Sequence, residues 1–187
     1  GITWSSVSSG DISVRFVEEG YLFDSKGAKA FANNDNNLLL SQALINSNVS
    51  KIFLKIISPT IDFKVGDVLQ IPFNSNRISK MENEIIELTK QNINFSKLDW
   101  DMHETSWDFK GSPLLSNKVD GFIASAYQSY KAQVNERFMM LKENEGELNR
   151  IFIEIYGLEE ELTPDVADKD ITVAKIFDKK EDIDEEI

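Results

Sequence analysis

The chain has 187 residues, 41% of them hydrophobic, which is enough to bury a core without disulfides or a structural metal. It contains no cysteine, which excludes a disulfide scaffold and a thiolate metal site and favours a reducing, cytoplasmic location. No apolar run approaches the roughly 20 residues that a membrane span requires. The N-terminus does not have the pattern of a signal peptide, and it is typical of a piece of a longer protein.

The net charge of the chain is −12, from 32 acidic and 20 basic residues. This balance argues against a DNA-binding surface over the whole chain, because such proteins usually carry a basic face. The acidity is concentrated at one end. Residues 157–187 hold 12 acids and 4 lysines, whereas residues 1–75 hold 7 acids and 6 bases. The front of the chain is therefore almost neutral and can contact DNA locally.

Short strands are predicted in the first part of the chain. Residues 2–6, 12–16 and 21–23 are rich in β-branched and aromatic side chains and are separated by turns that contain Ser, Glu and Gly. Residues 60–65 and 68–73 show the same composition on either side of a Gly-Asp turn. These segments predict five short strands.

Three helices are predicted from apolar residues that recur at three- and four-residue steps. The first covers residues 38–57. The second covers residues 77–93 and follows a Ser-x-x-Glu capping box that starts at Ser79. The third, residues 120–156, carries a heptad-like apolar seam with one irregular step next to Gly146, where we expect a kink or a break.

These elements predict an α+β fold. A small, mostly antiparallel sheet with a packed helix is followed by a helical region with one long helix. The expected boundaries give a small α+β domain over residues 1–75 and a helical region over residues 76–157. Residues 158–187 are expected to form an acidic, partly disordered tail.

Few residues in the chain suggest catalysis. The sequence holds no Gly-rich phosphate loop, no GxSxG motif and no HExxH motif. The single histidine, His103, lies near Asp99, Asp101 and Asp108, and these four side chains could form a carboxylate–His metal site. Acids this close in sequence are more often helix caps or solvated groups, so this hypothesis is the weaker one.

The favoured interpretation of residues 99–109 is structural. Trp100, Trp107 and Phe109 are large enough to fix a non-periodic connector onto helices, since each aromatic side chain buries on the order of 150–250 Å². On that basis Trp107→Ala is expected to cost about 3–5 kcal/mol of stability.

A hydroxyl-rich turn over residues 5–9 is the candidate for DNA contact. Ser and Arg side chains both contact phosphates and bases in protein–DNA complexes. An ordinary polar hairpin has the same composition, and residue types alone favour that simpler interpretation. The candidate DNA-contacting residues are Ser5, Ser8, Ser9, Arg15 and Lys26.

Several strings in this sequence point to a known family. The most specific is Asp-Trp-Asp with Glu-Thr-Ser-Trp-Asp-Phe at residues 99–109. The others are Gly-Ile-Thr-Trp-Ser (1–5), Gly-Tyr-Leu-Phe-Asp (20–24), Ser-Pro-Thr-Ile-Asp-Phe-Lys-Val-Gly-Asp (58–67) with Ile-Pro (71–72), Leu-Asn-Arg-Ile-Phe (148–152) and Tyr-Gly-Leu (156–158). Together they resemble the large adenine-specific DNA methyltransferases, including the PglX-type enzymes of BREX phage-exclusion systems and related type II restriction–modification proteins.

This resemblance implies a C-terminal segment of such an enzyme, with residues 1–75 forming part of its target-recognition domain. The Asn-Pro-Pro-Tyr/Phe motif and the Gly-rich cofactor loop of the family do not occur in the sequence. No catalytic, cofactor-binding or metal residue is therefore carried over, and S-adenosylmethionine is expected as the cofactor of the parent chain alone.

The implied function is a DNA-specificity and DNA-holding segment. The implied partners are double-stranded DNA, the upstream methyltransferase domain of the parent chain and other subunits of a defence complex, with no membrane. A protein–protein docking module without DNA contact is the alternative. It would use the seam of residues 120–156 and the acidic end of the chain.

Overall fold

A computed structural model describes residues 1–118 and 120–178 of the chain. The predicted α+β class is confirmed. A 3₁₀ turn, Asp168–Asp170, follows the last helix. The elements in chain order are β1 (Ile2–Ser5), β2 (Arg15–Phe16), β3 (Gly27–Ala30), α1 (Asp35–Asn46), α2 (Asn48–Ile57), α3 (Val65–Val68), α4 (Ser75–Ile78), α5 (Glu82–Trp100), α6 (Pro113–Ser116) and α7 (Ile123–Tyr156).

The described residues form two compact units. Unit 1 comprises Gly1–Lys90 and Glu145–Asp165, and unit 2 comprises Gln91–Asn144 and the chain from Val166 onward. The predicted division into residues 1–75, 76–157 and 158–187 stays a prediction. No helix among the described residues has the length and apolar character needed to cross a lipid bilayer.

The sheet of unit 1 has the strand order β2-β1-β3, with both pairs antiparallel. The backbone N–H of Val14 donates to the side-chain oxygen of Asn46 at 2.8 Å, and the carbonyl of Val14 accepts from the Asn46 amide N–H at 2.9 Å. Because both backbone groups are bonded to Asn46, the predicted strand at residues 12–16 is shorter than expected. The prediction of a strand at residues 21–23 is wrong. Strand β3 begins only after a turn in which Asp24 accepts hydrogen bonds from two backbone N–H groups.

The single helix predicted for residues 38–57 is two helices, α1 and α2. They meet at Ser47, whose backbone is extended (φ −71°, ψ 157°). Its hydroxyl donates to the carbonyl of Leu44 at 2.7 Å and accepts from the backbone N–H of Ser50 at 3.4 Å. A serine that satisfies both helix ends makes the break stable within a continuous apolar pattern.

The two strands predicted for residues 60–65 and 68–73 are also wrong. Within the described residues this segment makes one isolated antiparallel bridge, from Asp62 to Val7. The Asp67 carboxylate accepts from the backbone N–H of Lys64 at 3.4 Å and caps the short helix α3. This local bond favours a helical turn over continued strand pairing.

The helix predicted for residues 77–93 is also divided, into α4 and α5. The capping box predicted at Ser79 does not form, because the Ser79 hydroxyl donates to the carbonyl of Asn76 at 3.1 Å. Helix α7 is continuous through Gly146, which excludes a break there, and the alternative of a kink stays a prediction. It ends at Gly157, whose φ of +71° allows the backbone N–H of Leu158 to reach the carbonyl of Ile153 at 3.0 Å.

Most of the heptad-like seam of α7 is buried within this chain. Tyr127 and Tyr130 are the exceptions, since Tyr127 has 40% of its surface exposed and Tyr130 is half-buried. Docking through the seam would require its side chains to be accessible, so that part of the alternative function is wrong. The buried seam residues are Val134, Phe138, Leu141, Leu148, Phe152 and Ile155.

The segment that follows the 3₁₀ turn packs against α7 in unit 2. Ile171 and Val173 pack with Phe138 and Leu141 of α7 in one buried cluster. The side-chain oxygen of Asn135 accepts from the backbone N–H of Ile176 at 2.8 Å, and its side-chain N–H donates to the carbonyl of Ile176 at 3.0 Å. The predicted disorder at the end of the tail lies outside the described residues.

Trp107 is 90% exposed, so the prediction that it packs onto helices is wrong. Polar contacts hold its segment in place. The Ser106 hydroxyl donates to Asp101 at 2.7 Å and accepts from the backbone N–H of Asp108 at 3.1 Å, and Lys97 lies 3.1 Å from the Asp108 carboxylate. The fold of the segment therefore does not depend on burying the indole.

Candidate nucleic-acid interface

The outward face of the sheet carries two cations. Ile2 and Trp4 of β1 are buried, so the residue between them, Thr3, faces outward. Thr3 pairs with Arg15 on one edge strand and with Lys29 on the other. Residues that lie directly opposite each other in antiparallel strands project to the same face. The two cations therefore flank Thr3 in one row across the three strands.

A cavity of about 230 Å³ lies at the end of β1. The backbone N–H of Ser6 donates to the carbonyl of Lys26 at 2.8 Å, and the carbonyl of Ser6 accepts from the N–H of Phe63 at 2.6 Å. The indole N–H of Trp4 also donates to the carbonyl of Phe63, at 3.1 Å. These bonds place two chain segments on either side of the cavity, so that Lys26 and Lys64 both line it.

The polar groups of the cavity suit a small anion. Its wall includes two lysines, Ser6, Ser25 and one carboxylate, Asp62, for a net charge of +1. The Ser6 hydroxyl is buried and has no hydrogen-bond partner among the described residues. An unpaired buried hydroxyl costs about 1–3 kcal/mol, so such groups call for an explanation. A ligand that accepts a hydrogen bond at this wall would remove that cost.

Asp24 fixes the turn that presents Lys26. Its carboxylate accepts from the backbone N–H groups of Lys26 and Gly27, each at 2.8 Å. The bonds from Gly27 and then Lys26 lower the pKa of Asp24, so the turn keeps its ionised cap at neutral pH.

The cations of residues 1–75 divide into two groups. Lys51 and Lys55 lie 4.0 and 3.5 Å from the Asp11 carboxylate. Within the part of the chain that the structure describes, the other four form no salt bridge, although the Lys29 ammonium donates to the carbonyl of Glu18 at 3.3 Å and lies over the Phe31 ring. We call these four the open cations: Arg15, Lys26, Lys29 and Lys64.

The candidate residues from the sequence are only partly brought together. Ser5 pairs with Gly27 and so lies next to Lys26. Arg15 lies on the far edge strand. The Ser8 hydroxyl accepts from the backbone N–H of Gly10 at 3.2 Å, and Ser9 is exposed in the same turn. DNA contact by these residues stays a prediction.

Sequence reasoning placed Ser6 in the hydroxyl-rich turn and missed three other residues of this region. Ser25 carries no signal that separates it from neighbouring serines. Lys29 could have been found from the pairing of β3 with β1 if the strand had been placed correctly. Lys64 reaches the cavity only through the bond between Phe63 and Ser6.

The four residues of the proposed metal site are not gathered around a common point, and no metal-binding cluster occurs among the described residues. The Asp99 carboxylate lies 3.2 Å from the Arg137 guanidinium and accepts from the backbone N–H of Ala174 at 3.2 Å. Asp101 and Asp108 are held by Ser106 and Lys97. These contacts account for the three carboxylates without a metal ion.

Comparison with known proteins identifies the family. No protein-family profile matches the chain. In an alignment of 179 residues that covers 93% of the chain, it is 44% identical to the adenine-specific methyltransferase PglX of Lacticaseibacillus casei (strain Zhang). Over 165 residues, or 87%, it is 34% identical to the adenine-specific methyltransferase BrxX of Escherichia coli O9:H4 (strain HS). The chain belongs to the PglX/BrxX family of adenine-specific methyltransferases.

The matched regions cover 14% of PglX and 13% of BrxX, so the chain spans about a seventh of the length of these relatives. The resemblance found in the sequence is confirmed at the level of the family. Both the sheet face and the cavity of unit 1 thus belong to a segment of a PglX-type methyltransferase.

Proposed function

We propose that this chain is the DNA-holding and DNA-specificity segment of a site-specific N6-adenine methyltransferase of a phage-exclusion or restriction–modification system. The observation that carries the proposal is the placement of Arg15 and Lys29 on one sheet face and of Lys26 and Lys64 in the wall of the cavity at the end of β1. Chemistry on a base within a duplex requires the base to leave the stack. A separate surface must then hold the duplex by its phosphates and groove edges.

The cavity and the sheet face would have different roles. In the cavity, Lys26 and Lys64 would bind a phosphate. Because Asp62 leaves a net charge of +1 on the wall, the cavity suits one singly charged phosphodiester. On the sheet face, Arg15 and Lys29 would contact the adjoining backbone or groove.

The methyl-transfer chemistry belongs to other parts of the parent chain in this proposal, with S-adenosylmethionine as the cofactor there. None of the nine glycines lies in a Gly-rich cofactor loop. We predict that the 187-residue chain alone neither binds S-adenosylmethionine nor methylates DNA. Calorimetric titration with S-adenosylmethionine tests this, and measurable binding would contradict it.

The test of DNA holding is a fluorescence anisotropy titration of a labelled duplex at several salt concentrations. If each open cation neutralises about one phosphate, the slope of log K against log salt is about −3 to −4, since each phosphate contributes about −0.9. Replacing all four open cations by glutamine should flatten the slope and weaken binding.

The matched control replaces two other lysines by glutamine. Lys51→Gln with Lys55→Gln removes cations that already face Asp11, so the slope should change little. If both variants alter the slope equally, binding is not localised at the open cations. If the unsubstituted chain shows no salt-dependent DNA binding, the holding function is refuted and a docking module without DNA contact is favoured.

A further inference from the structure

The beginning of α7 and the adjacent helix α6 expose a group of large apolar side chains. Their exposed fractions are 74% for Leu115, 71% for Phe122, 78% for Ile123 and 40% for Tyr127. We call these four residues the α6–α7 cluster. Ala126, within the same turns of α7, is only 3% exposed. The helix therefore packs on the chain through one face and presents the cluster on another.

Hydrogen bonds fix the position of α6 beside α7. The side-chain oxygen of Asn117, at the end of α6, accepts from the Ser129 hydroxyl at 3.1 Å and from the Gln133 amide at 2.7 Å. Ile123 and Tyr127 are four residues apart on α7 and share a face. The cluster thus lies on two helices that are joined by hydrogen bonds.

Asp120 fixes the start of α7. Its carboxylate accepts from the backbone N–H of Phe122 at 3.0 Å and from the Ser125 hydroxyl at 2.7 Å. The hydrogen bond from Ser125, followed by that from Phe122, lowers the pKa of Asp120, so this cap stays ionised near neutral pH. The exposed apolar groups therefore stand on a capped helix end.

The first turns of α7 themselves carry no charged side chain, and the carboxylate of Asp120 caps the helix just before them. Residues 121–130 include no Asp, Glu, Lys or Arg, although these types make up 28% of the chain. Depletion of charge together with aromatic side chains is the composition of an interface core. Apolar side chains grouped on a surface mark sites of interaction. This composition indicates a protein surface as the partner, since binding to nucleic acid requires cations.

We propose that the α6–α7 cluster docks onto another part of the parent methyltransferase polypeptide, outside these 187 residues. The relatives are about seven times as long as the segment that the chain matches, so most of the parent polypeptide lies elsewhere. Contacts within one polypeptide form at interfaces of about 600–1,500 Å², and covalent linkage raises the effective concentration of the two surfaces. The inference rests on the family assignment and not on the DNA-holding function.

Hydroxyl-radical footprinting tests the inference without any substitution. Modification of the cluster side chains is compared between the 187-residue chain and the full-length parent enzyme, both free of DNA. We expect several-fold less modification of the cluster in the parent. Met139 and Met140 serve as references on the same helix, because they are 48% and 41% exposed and lie about 24 Å along α7 from Ile123.

Two results would overturn the inference. One is equal modification of the cluster in the chain and in the parent. The other is protection that appears in the isolated chain as its concentration rises, which would identify a second copy as the occupant. DNA affinity is measured separately, so the DNA-holding function can fail while the docking inference stands, and the reverse.

A substitution provides a second measurement. Ile123→Glu should leave the melting temperature of the isolated chain unchanged, because Ile123 is exposed there. In the parent enzyme it should restore modification of Phe122 and Tyr127 toward the level of the isolated chain. Met139→Glu is the matched control and should leave their protection in place. Protection that persists in Ile123→Glu would contradict the inference.

Discussion

Asn149 of α7 is expected to be a main stabilising residue of unit 1. It is only 5% exposed. Its side-chain oxygen accepts from the backbone N–H of Asn48 at 2.9 Å, at the first residue of α2, where no intrahelical partner exists. Its amide N–H donates to the carbonyl of Pro164 at 3.2 Å. One amide thus bonds α7 to the start of α2 and to the segment that follows α7.

Asn149→Leu keeps the number and branching of the side-chain heavy atoms and removes both hydrogen bonds. Each buried backbone group left without a partner costs about 1–3 kcal/mol, which gives roughly 2–6 kcal/mol for the pair. Both bonds are only partly buried, so water can reach the freed groups and the lower part of this range applies. We expect a loss of about 2–3 kcal/mol.

Urea unfolding measures this loss most clearly through Trp4, which is buried in unit 1, in a background where Trp100 and Trp107 are replaced by phenylalanine. The variants are compared at a fixed m-value, so that a change of midpoint reports stability. A loss below about 0.5 kcal/mol for Asn149→Leu, which is within the range of ordinary surface substitutions, would refute the reasoning.

Two further predictions concern unit 2. Trp107→Ala should change stability by less than about 0.5 kcal/mol, because the indole is 90% exposed, and a thermal melt lowered by several degrees would contradict this. Lys142 and then Lys175, each 2.6 Å from Asp168, lower the pKa of that carboxyl. The stability that these two ion pairs contribute is therefore present at pH values above the ordinary Asp pKa, and it is lost as the pH falls through the lowered pKa of Asp168. Asp168→Asn should cost about 1 kcal/mol at pH 7, and urea unfolding should show the difference closing in acid.

The sequence predicts the elements of this chain better than their limits. The long helix over α7 follows from a periodic apolar seam that is buried as expected. The break at Ser47 does not follow, because the apolar pattern continues through it and only the hydroxyl contacts with Leu44 and Ser50 reveal it. The strands predicted for residues 60–73 fail for a similar reason, since a side-chain cap outweighs β propensity there.

The candidate site was less predictable than the fold. Hydroxyl and basic residues near the N-terminus drew attention to Lys26, and the structure places it in a cavity wall. Its partner Lys64 is 38 positions away and reaches the same wall through backbone bonds to Ser6. Contacts at this separation depend on strand pairing, which was not predicted, and the strands themselves were placed wrongly in both segments.

The acidic end of the chain gives the last prediction. Considered as charge alone, residues 174–187 oppose DNA binding, and removing them should strengthen it. The structure requires a different cut. The backbone N–H of Ala174 donates to Asp99, the backbone of Ile176 binds Asn135, and Asp178 pairs with Lys131. Removal from residue 174 would therefore take part of unit 2 away.

A chain truncated after Asp178 separates charge from folding. Residues 179–187 hold five acids and two lysines, so their removal eliminates three net negative charges. We expect a higher DNA affinity at an ionic strength of about 0.01 M, where the Debye length is about 30 Å, and a thermal melt checks that unit 2 stays folded. At about 0.15 M the Debye length is about 8 Å and the gain should vanish. A chain truncated after Val173 should melt at lower temperature. Equal DNA affinity with and without residues 179–187 at low salt would show that the charge of this end does not repel the bound duplex. The electrostatic argument for this end would then be wrong. The open cations would still be tested by their own substitutions.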